Sequence, residues 1–432
     1  MAEGETRPHG YIPRLVDPLV EKYLTLFGAV EVSGTRWCGK TWTSLAHANS
    51  VTYVDKGANF QITQADPNFA LQGKKPHVID EWQAVPETWD IVRHSVDEAH
   101  TKGRWILTGS STPALDKVAH SGAGRIGRIR MHPMTLAESN SSTAQVSLAG
   151  LFEGEFSPAA STPDIEDLSE LCCRGGWPGI GNASAADAQV IIREYVSSIF
   201  AQSIPRMEGS TDISRRLSES IARNLGQAAT LATYARDVFA QGVGSAPSAS
   251  EQQVVSHHLA LLARSYLVDE VPGWVPQSRS PKRMRTKPKR YFADPSIACA
   301  LLGLDANALM QNWQTFGLLF ENLCMRDLMV YASVLPNVSS VPVRYYRDDS
   351  GLEADAVVEK SDGNWGAIEF KLSPTKVDEG AKTLLRLKSK LGRDELARTK
   401  PPAFLAVITG TGEAAYRRPD GVYVVPIRTL GA

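Results

Sequence analysis

The sequence predicts an α/β protein in three parts: a parallel-sheet domain, a helical domain that ends in a β-hairpin, and a second, smaller α/β domain. Three observations support this division. Short apolar runs alternate with helix-length segments over residues 27–133, three helical patterns precede two strand-like runs over 211–294, and the final third reads helix, three strands, helix, strand. Apolar strands separated by helices are typical of parallel sheets that carry helices on both faces.

Length and composition are those of a multidomain globular protein. The 432 residues correspond to about two to four domains, which we place at 1–170, 171–300 and 301–432. Hydrophobic residues make up 43%, and 46 Lys+Arg against 47 Asp+Glu give a net charge of −1, values that exclude a disordered chain. The five cysteines form no C-x-x-C pair, and neither a signal peptide nor a membrane-length apolar run occurs. We therefore expect a cytoplasmic protein without a membrane partner, a disulfide framework or structural zinc.

Five apolar runs of strand length define the predicted parallel sheet. They cover residues 27–34, 51–55, 77–81, 104–110 and 128–134. The segment that follows, 139–170, is rich in Ser, Ala and Pro and carries only acidic charges. This composition favours a connecting loop between the first two domains.

The middle domain is predicted from the order of its elements. A glycine-rich turn and a helix come first, followed by three helical patterns and then by two strand-like runs joined by a basic segment. These features lie at residues 172–179, 185–205, 213–225, 231–240, 251–266, 266–275 and 289–294. Three helices followed by a hairpin are the order found in a winged helix.

The clearest motif lies directly after the first predicted strand. Residues 34–41, GTRWCGKT, match G-x-x-x-x-G-K-[ST] between a strand and a helix, which is the context that a phosphate-binding loop requires. The glycines let backbone N–H groups surround the phosphates, Lys40 neutralises their charge, and the Thr41 hydroxyl ligates Mg²⁺. We therefore expect ATP and Mg²⁺ as cofactors. The predicted nucleotide-binding residues are Gly34, Trp37, Cys38, Gly39, Lys40, Thr41 and Asp80.

Candidate catalytic groups follow at the ends of later strands. Asp80 is expected to hold the magnesium ion through its water shell, and Glu81 to polarise the attacking water. Ser110, or alternatively Thr108, lies at the carboxyl edge of the sheet, where ligands of open α/β sheets bind, and is a candidate sensor of the γ-phosphate. Arg125 precedes the fifth strand, where ring-forming ATPases place an arginine that reaches the neighbouring subunit's γ-phosphate. The predicted catalytic residues are Lys40, Glu81, Ser110 and Arg125.

A second group of charged residues is predicted in the last domain. Because strand side chains alternate between faces, Glu353 shares a face with Asp355, and Glu369 shares one with Lys371. Carboxylates and a lysine on neighbouring strands can bind Mg²⁺ and orient a water for phosphodiester cleavage, and Glu321 on the preceding helix is placed to add an oxygen ligand. The alternative is a half-exposed strand pair with solvated charges. The predicted metal ligands of the whole chain are Thr41, Asp80, Glu321, Asp355 and Glu369, with Lys371 beside the second metal.

A basic segment joins the two strands of the predicted hairpin. Residues 279–290 contain seven Lys or Arg and no acid. On a hairpin tip these side chains would lie close to a phosphate backbone, and binding would weaken steeply with salt. The helix at 376–391 adds further basic residues, and a solvated surface is the alternative for both groups. The predicted DNA-binding residues are Lys282, Arg283, Arg285, Lys287, Lys289 and Arg290.

Taken together, these motifs resemble those of one family over nearly the whole chain. They are similar to the prokaryotic AAA-type ATPases whose C-terminal half is an uncharacterised domain with a PD-(D/E)XK nuclease-like core. The PD dipeptide is absent, since Ala354 precedes Asp355, and the family usually has Gln or Thr near Trp37 and Cys38. The segments that carry the resemblance are YIPRLVDPLV, GTRWCGKT, VIDEWQ, LTGSS, SGAGRIGRIRMHPMTLAE, RGGWPG, YFADP, FENL, LEADAVVE and AIEFK.

The resemblance implies a P-loop AAA+ module, then a winged helix, then a restriction-endonuclease-like α/β domain. It assigns two sets of residues, one to the nucleotide and one to the second site. These are Lys40, Thr41, Asp80, Glu81, Ser110 and Arg125 for the first, and Glu321, Asp355, Glu369 and Lys371 for the second.

The sequence thus predicts a magnesium-dependent ATPase that acts on DNA. Hydrolysis would drive translocation or remodelling of duplexes or junctions, as in a helicase or a branch-migration motor. An arginine supplied in trans implies a homo-oligomeric ring, for which we expect a hexamer. Two alternatives remain open: an ATP-regulated DNA nuclease, and a regulatory or interaction protein that is switched by nucleotide.

Overall fold

The computed structural model describes residues 6–111, 122–240, 246–276, 286–393 and 399–432. Its first unit is a five-stranded sheet in the order β2-β3-β4-β1-β5, and all neighbouring strands are parallel. The predicted parallel sheet is therefore confirmed. Its strands are β1 (Ala29–Gly34), β2 (Ser50–Tyr53), β3 (His77–Asp80), β4 (Trp105–Gly109) and β5 (Ile126–Met131).

Helices cover both faces of this sheet. They are α1 (Asp17–Leu26), α2 (Lys40–Ala46), α3 (Gly57–Ala65) and α4 (Glu87–Ala99). Val30 and Ile106 belong to a buried cluster with Leu45 of α2, whereas Leu107 belongs to the cluster on the other face with Trp89 of α4. Because alternate strand residues point to opposite faces, burial of both faces explains why these strands are apolar throughout.

Residues 139–170 are not the connecting loop that their composition predicts. The hydroxyl of Ser147 and the carboxylate of Asp164 accept hydrogen bonds from Gly150 and Asp167 backbone N–H groups, so these polar residues are helix N-caps. Two short strands of this segment pair with strands near the C-terminus. The elements are β6 (Val146–Ser147), α5 (Leu148–Glu153), β7 (Ala159–Ala160) and α6 (Ile165–Arg174).

In its described residues, the middle of the chain contains helices and one antiparallel strand pair. Its elements are α7 (Ala185–Ser198), a π-helical turn (Ile199–Ser203), α8 (Ile204–Arg206), α9 (Thr211–Arg223), α10 (Leu231–Val238), α11 (Ala249–Arg264), β8 (Val268–Val271) and β9 (Lys289–Phe292). Strands β8 and β9 are hydrogen-bonded to each other. The predicted order of three helices and a strand pair is present, and the winged-helix assignment stays a prediction.

The last part is a mixed sheet with helices. Its helices are α12 (Pro295–Leu302), α13 (Ala306–Gln311), α14 (Trp313–Ser333) and α15 (Val377–Gly392). Its strands are β10 (Val338–Arg347), β11 (Glu353–Lys360), β12 (Trp365–Lys371), β13 (Phe404–Thr409), β14 (Ala414–Arg417) and β15 (Tyr423–Pro426), while β16 (Leu430–Gly431) pairs with β6. The sheet order is β10-β11-β12-β13-β15-β14-β7. The nuclease-like assignment of this sheet stays a prediction.

One hydrophobic core extends across the predicted boundary at residue 300, which falls within α12. Leu225 and Phe292 from the middle of the chain belong to the same buried cluster as Phe320 and Ile368 from the last part. Each such side chain stabilises the fold by about 1.5–3 kcal/mol when it is buried. This shared core fixes β9 against α14 and the last sheet, which decides the surroundings of the second site.

Over the stretches that the structure describes, no helix combines the length and the apolar character needed to cross a membrane.

Candidate nucleotide site and a second charged cluster

The phosphate loop lies between β1 and α2, as predicted. Gly34 has a φ of 154° and Gly39 a φ of 105°, backbone angles that residues with a Cβ rarely adopt. A Cβ on Gly34 would lie 2.2 Å from the carbonyl oxygen of Met131 on β5. Both glycines are therefore required for the path of the loop.

The side chain of Lys40 is folded over this loop. It is 5% exposed, and its Nζ donates a hydrogen bond to the carbonyl oxygen of Thr35 at 2.9 Å. An ammonium group carries three N–H donors, so this contact fixes the position of the positive charge and leaves donors for phosphate oxygens.

Thr41 and Asp80 meet at the carboxyl end of β3. The Thr41 hydroxyl donates to Asp80 Oδ1 at 2.8 Å, and the Thr108 hydroxyl donates to the same oxygen at 2.6 Å. Mg²⁺ prefers hard oxygen ligands such as hydroxyl and carboxylate, and this donor set fits it. Thr108 is fully buried and orients Asp80, and its alternative role as a phosphate sensor stays a prediction.

Glu81 follows with a strained backbone and a well-held side chain. Its φ is 55°, a left-handed angle that costs a non-glycine residue about 1–3 kcal/mol and is found mainly at functional sites. Ser110 Oγ donates to Glu81 Oε2 at 3.1 Å, and Gln83 Nε2 donates to the same oxygen. The carboxylate is thus fixed beside Asp80. Ser110 acts on Glu81 in this arrangement, and its role as a phosphate sensor stays a prediction.

These groups line one cavity. Its volume is about 580 Å³, within the range of roughly 300–1,000 Å³ that is typical of small-molecule sites. Lys40, Thr41, Asp80 and Glu81 all contribute to its wall. Other residues of the wall are Tyr11, Ile12, Arg36, Trp37, Trp42 and Pro178.

Sequence reasoning missed the segment before α1. Arg14 is buried, and its guanidinium donates to the carbonyl oxygens of Cys38 at 2.8 Å and His132 at 2.9 Å. Its Nε also pairs with Glu138 at 3.0 Å. Arg14 therefore ties the phosphate loop to the chain that follows β5. The sequence feature that could have indicated this role is a single arginine within the apolar stretch YIPRLV. This stretch formed part of the family resemblance, but no function was assigned to its arginine.

Arg125 lies at the other edge of the sheet. It precedes β5, whose first residue Ile126 pairs with Ala29 at the start of β1, whereas the phosphate loop follows the end of β1. At about 3.3 Å per strand residue, the two edges are too far apart for Arg125 to reach the nucleotide of its own chain. Its side chain pairs with Asp97 at 2.8 Å. The role of Arg125 toward a neighbouring subunit stays a prediction.

The structure brings the four residues of the second predicted site together. Lys371 Nζ lies 2.7 Å from Glu369 Oε2, and Asp355 Oδ2 accepts a hydrogen bond from the Phe370 backbone N–H at 2.8 Å. Burial and the charge of Asp355 raise the pKa of Glu369 to about 8. Burial, with a further contribution from Asp355, also raises the pKa of Glu321 to about 7 against the opposing effect of a nearby lysine. The three carboxylates therefore act on one another.

That lysine is Lys289, which was predicted to bind DNA from an exposed hairpin tip. This prediction is wrong, because Lys289 lies in β9, is 3% exposed and points into the carboxylate cluster. Its Nζ lies 2.7 Å from Glu353, 3.4 Å from Glu321 and 3.8 Å from Asp355. Burial alone would lower the pKa of Lys289, but these carboxylates raise it above its usual value. Tyr291, on the same strand, donates to Glu321 at 2.6 Å.

The metal role of this cluster finds no support in the described part of the chain. No group of three or more His, Cys, Asp or Glu side chains there is arranged to hold a metal ion. The ammonium group of Lys289 instead supplies a positive charge between Glu321, Glu353 and Asp355. The cluster combines four carboxylates with the ammonium groups of Lys289 and Lys371, beside a cavity of about 310 Å³. The metal-ligand role of Glu321, Asp355 and Glu369 stays a prediction.

The remaining DNA-binding predictions divide into three cases. Arg290 was predicted to be exposed and is buried, with its Nη2 2.7 Å from Glu270, so that prediction is also wrong. Lys287 is exposed, as predicted. The others, Lys282, Arg283 and Arg285, lie outside the described residues.

Three family models match separate parts of the chain. An AAA domain matches residues 27–140, a domain of unknown function (DUF8612) matches residues 165–308, and another (DUF4143) matches residues 316–430. The first match covers the parallel sheet and the residues Lys40, Thr41, Asp80, Glu81 and Ser110, whereas Tyr11, Ile12, Arg14 and Pro178 lie outside it. The chain therefore contains an AAA-type ATPase domain, which supports nucleotide binding and ATP hydrolysis, and this part of the predicted resemblance is confirmed. The C-terminal match names no nuclease.

The chain is also similar to two curated proteins and to two solved structures. Uncharacterized proteins Mb2031c of Mycobacterium bovis and Rv2008c of Mycobacterium tuberculosis are each 26% identical over 356 residues, 80% of this chain and 70% of theirs. The Walker-type ATPase PABY2304 of Pyrococcus abyssi aligns with a TM-score of 0.42 and 14% identity, over 69% of this chain and 98% of that one. The ORC1 protein of Aeropyrum pernix, solved in complex with DNA, aligns with a TM-score of 0.27 and 11% identity, over 69% and 95%. These TM-scores are too low for either structure to carry conclusions about this chain.

Proposed function

We propose that this protein is a magnesium-dependent ATPase that couples hydrolysis to the movement or remodelling of DNA. The observation that carries the ATPase part is the cavity of about 580 Å³ with Lys40, Thr41, Asp80 and Glu81 in its wall. Each of these groups has a distinct role in phosphoryl transfer, and their hydrogen bonds fit those roles.

The roles follow from the contacts. Lys40, held by Thr35, presents its remaining N–H donors to the β- and γ-phosphate oxygens. Thr41 and Asp80 would hold Mg²⁺, which when bound would neutralise charge on the phosphates. Glu81 orients the attacking water, and Ser110 keeps the Glu81 carboxylate in place.

Two basic regions support DNA as the partner. The first is the segment 279–287, with five basic residues and no acid, which excludes the buried Lys289 and Arg290. The second is the outer face of α15, where Lys382 and Arg386 are exposed four residues apart and therefore on one side of the helix. Lys and Arg that contact phosphates give salt-dependent binding without sequence preference, which suits a motor. The role of Arg125 in trans that the sequence predicts would require a homo-oligomeric ring, for which we expect six subunits.

The test is the ATPase rate of the wild-type protein and of Lys40→Ala with single-stranded, duplex and junction DNA. We expect DNA to stimulate the wild-type rate, and Lys40→Ala to lose about 100-fold or more, as when other charge-stabilising donors are removed. Strand displacement or junction migration should be lost with it and retained in Asp355→Ala. An ATPase rate indifferent to every DNA, without salt-sensitive DNA binding, would contradict the motor and favour the nucleotide-switched regulatory protein.

The second candidate is an ATP-regulated DNA nuclease. The observation that favours it is the convergence of Glu321, Asp355, Glu369 and Lys371, and the observation against it is the ammonium group of Lys289 between the carboxylates. Metal-dependent nicking that is lost in both Asp355→Ala and Lys371→Ala would establish the nuclease. Absence of nicking with Mg²⁺ and with Mn²⁺ would eliminate it.

A further inference from the structure

The phosphate loop contains a left-handed residue that is not glycine. Trp37 has a φ of 69°, an angle that costs a residue with a Cβ roughly 1–2 kcal/mol. Gly34 and Gly39 supply the other unusual angles of the loop without this cost. Some interaction of the Trp37 side chain must therefore offset the strain.

That interaction is a stack of aromatic rings from another part of the chain. The Trp37 ring lies 6.0 Å from the ring of Trp177 and 6.3 Å from the ring of Tyr195, in both cases stacked. A Cβ on Gly179 would lie 2.6 Å from Trp37 Nε1, so the close approach of the indole requires glycine there. The hydroxyl groups of Thr35 and Tyr195 are also hydrogen-bonded, at 2.6 Å.

The rings that receive Trp37 are themselves fixed. Trp177 is buried, and its Nε1 donates to the Ser296 hydroxyl at 2.9 Å. The backbone N–H of Gly176 donates to the buried Asp294 carboxylate at 2.9 Å, and Asp294 pairs with Arg326 at 2.8 Å. The residues that receive Trp37 are thus anchored to α12 and α14, outside the AAA domain.

We propose that Trp37 is a positioning residue, whose docking on Trp177 and Tyr195 sets the conformation of the phosphate loop and makes ATP affinity depend on the middle of the chain. Thr35 connects the docked Trp37 to the positive charge of Lys40. Its hydroxyl is hydrogen-bonded to the Tyr195 hydroxyl, and its carbonyl oxygen accepts a hydrogen bond from the Lys40 ammonium group. This inference rests on the proposed nucleotide site. It adds that the site is completed by residues beyond the AAA domain.

The test compares alanine and glycine at position 37. Trp37→Ala loses the stacking and keeps a Cβ in the left-handed region, whereas Trp37→Gly loses the stacking and the strain together. With the full chain and Mg²⁺, we expect the Kd for the analogue ATPγS to rise about tenfold in Trp37→Ala, equivalent to about 1.4 kcal/mol, and to return to within about threefold of wild type in Trp37→Gly. The KM for ATP should follow these Kd values, rising in Trp37→Ala and recovering in Trp37→Gly.

Trp42 provides the matched control, because it is also exposed and lines the same cavity, but lies in α2. Glycine destabilises a helix relative to alanine, so Trp42→Ala should bind ATPγS at least as tightly as Trp42→Gly. At position 37 the expected order is the reverse, with the glycine variant binding more tightly. A second variant, Tyr195→Phe, keeps the ring and removes the hydroxyl bonded to Thr35. It should raise the Kd about threefold.

The outcomes separate this inference from the proposed function. If the wild-type protein does not bind ATPγS, the proposed ATPase fails. If the wild type binds but Trp37→Ala and Trp37→Gly have equal Kd values, or if position 42 shows the same order as position 37, the positioning role of Trp37 is overturned and the ATPase stands.

Discussion

The two charged sites of this chain contain similar groups but neutralise them in opposite ways. At the nucleotide site, Lys40 is held by a neutral carbonyl and Asp80 by two hydroxyls. Among the described residues, neither side chain forms an ion pair. In the C-terminal cluster, Lys289 lies directly against Glu353 and Lys371 against Glu369. In this chain the charges of the nucleotide site therefore remain available to a ligand, whereas those of the C-terminal cluster already face side chains of opposite charge.

The difference has consequences for what each site contributes to the protein. Removing a charge from water costs several kcal/mol per ion after relaxation, and in the C-terminal cluster the lysines offset this cost for the carboxylates. The charged side chains of this cluster therefore contribute to the stability of the folded protein. At the nucleotide site the neutral partners leave the charges available to a ligand, beside a cavity that can hold it. Substitutions should accordingly impair chemistry at the first site and stability at the second.

The largest contrast is expected between Glu81 at the nucleotide site and Glu369, which is buried in the C-terminal cluster. Glu81→Gln removes the group that orients the attacking water, so kcat for ATP should fall by about 10²–10⁴, the usual contribution of a general base, while the Kd for ATP stays near that of wild type. Glu369→Gln should leave the ATPase rate within about twofold. Steady-state ATPase assays and calorimetric titration measure both. Equal losses of kcat in the two variants would remove the distinction between the sites.

The next effect concerns stability. Lys289→Met keeps the apolar part of the side chain but leaves Glu321, Glu353 and Asp355 without their central positive charge, which should lower the free energy of unfolding by about 3–5 kcal/mol. Lys287→Met is the matched control, because Lys287 is exposed on the same segment, and it should change stability by at most about 0.5 kcal/mol. Urea unfolding measures both. If the two variants are equally stable, Lys289 does not neutralise the cluster.

The sequence implied the proximity of the motif residues of the nucleotide site because each of them follows a local rule. Lys40 belongs to a contiguous motif, and Asp80 ends a buried strand. Parallel strands place their carboxyl ends at one edge of a sheet, so the sequence order of Thr41, Asp80 and Ser110 implied their proximity. The structure adds the hydrogen bonds among them, which could not be predicted from spacing.

The failures at Lys289, Arg290 and Arg14 involve contacts between distant parts of the chain. Lys289 and Arg290 belong to a run of basic residues, and only the packing of β9 against α14 and the last sheet turns them inward. Arg14 meets Glu138 across 124 residues. In the segment 139–170, Ser and Asp are favoured both in loops and at helix N-caps, so composition alone could not distinguish the two.

The smallest effect is the pH dependence that the C-terminal cluster should give to stability. The pKa of Glu321 is raised to about 7 by burial and by Asp355, whereas an unfolded glutamate has a pKa of about 4.3. Between these values the folded state binds more protons than the unfolded state, so the free energy of unfolding falls as the pH rises. The contribution is fully present below about pH 4.3 and is lost as the pH rises through about 7.

Urea unfolding from pH 5 to 8 should therefore show a shallower decline in the free energy of unfolding for Glu321→Gln than for wild type. Parallel slopes would mean that Glu321 does not titrate in this range, and that Lys289 holds it ionised throughout.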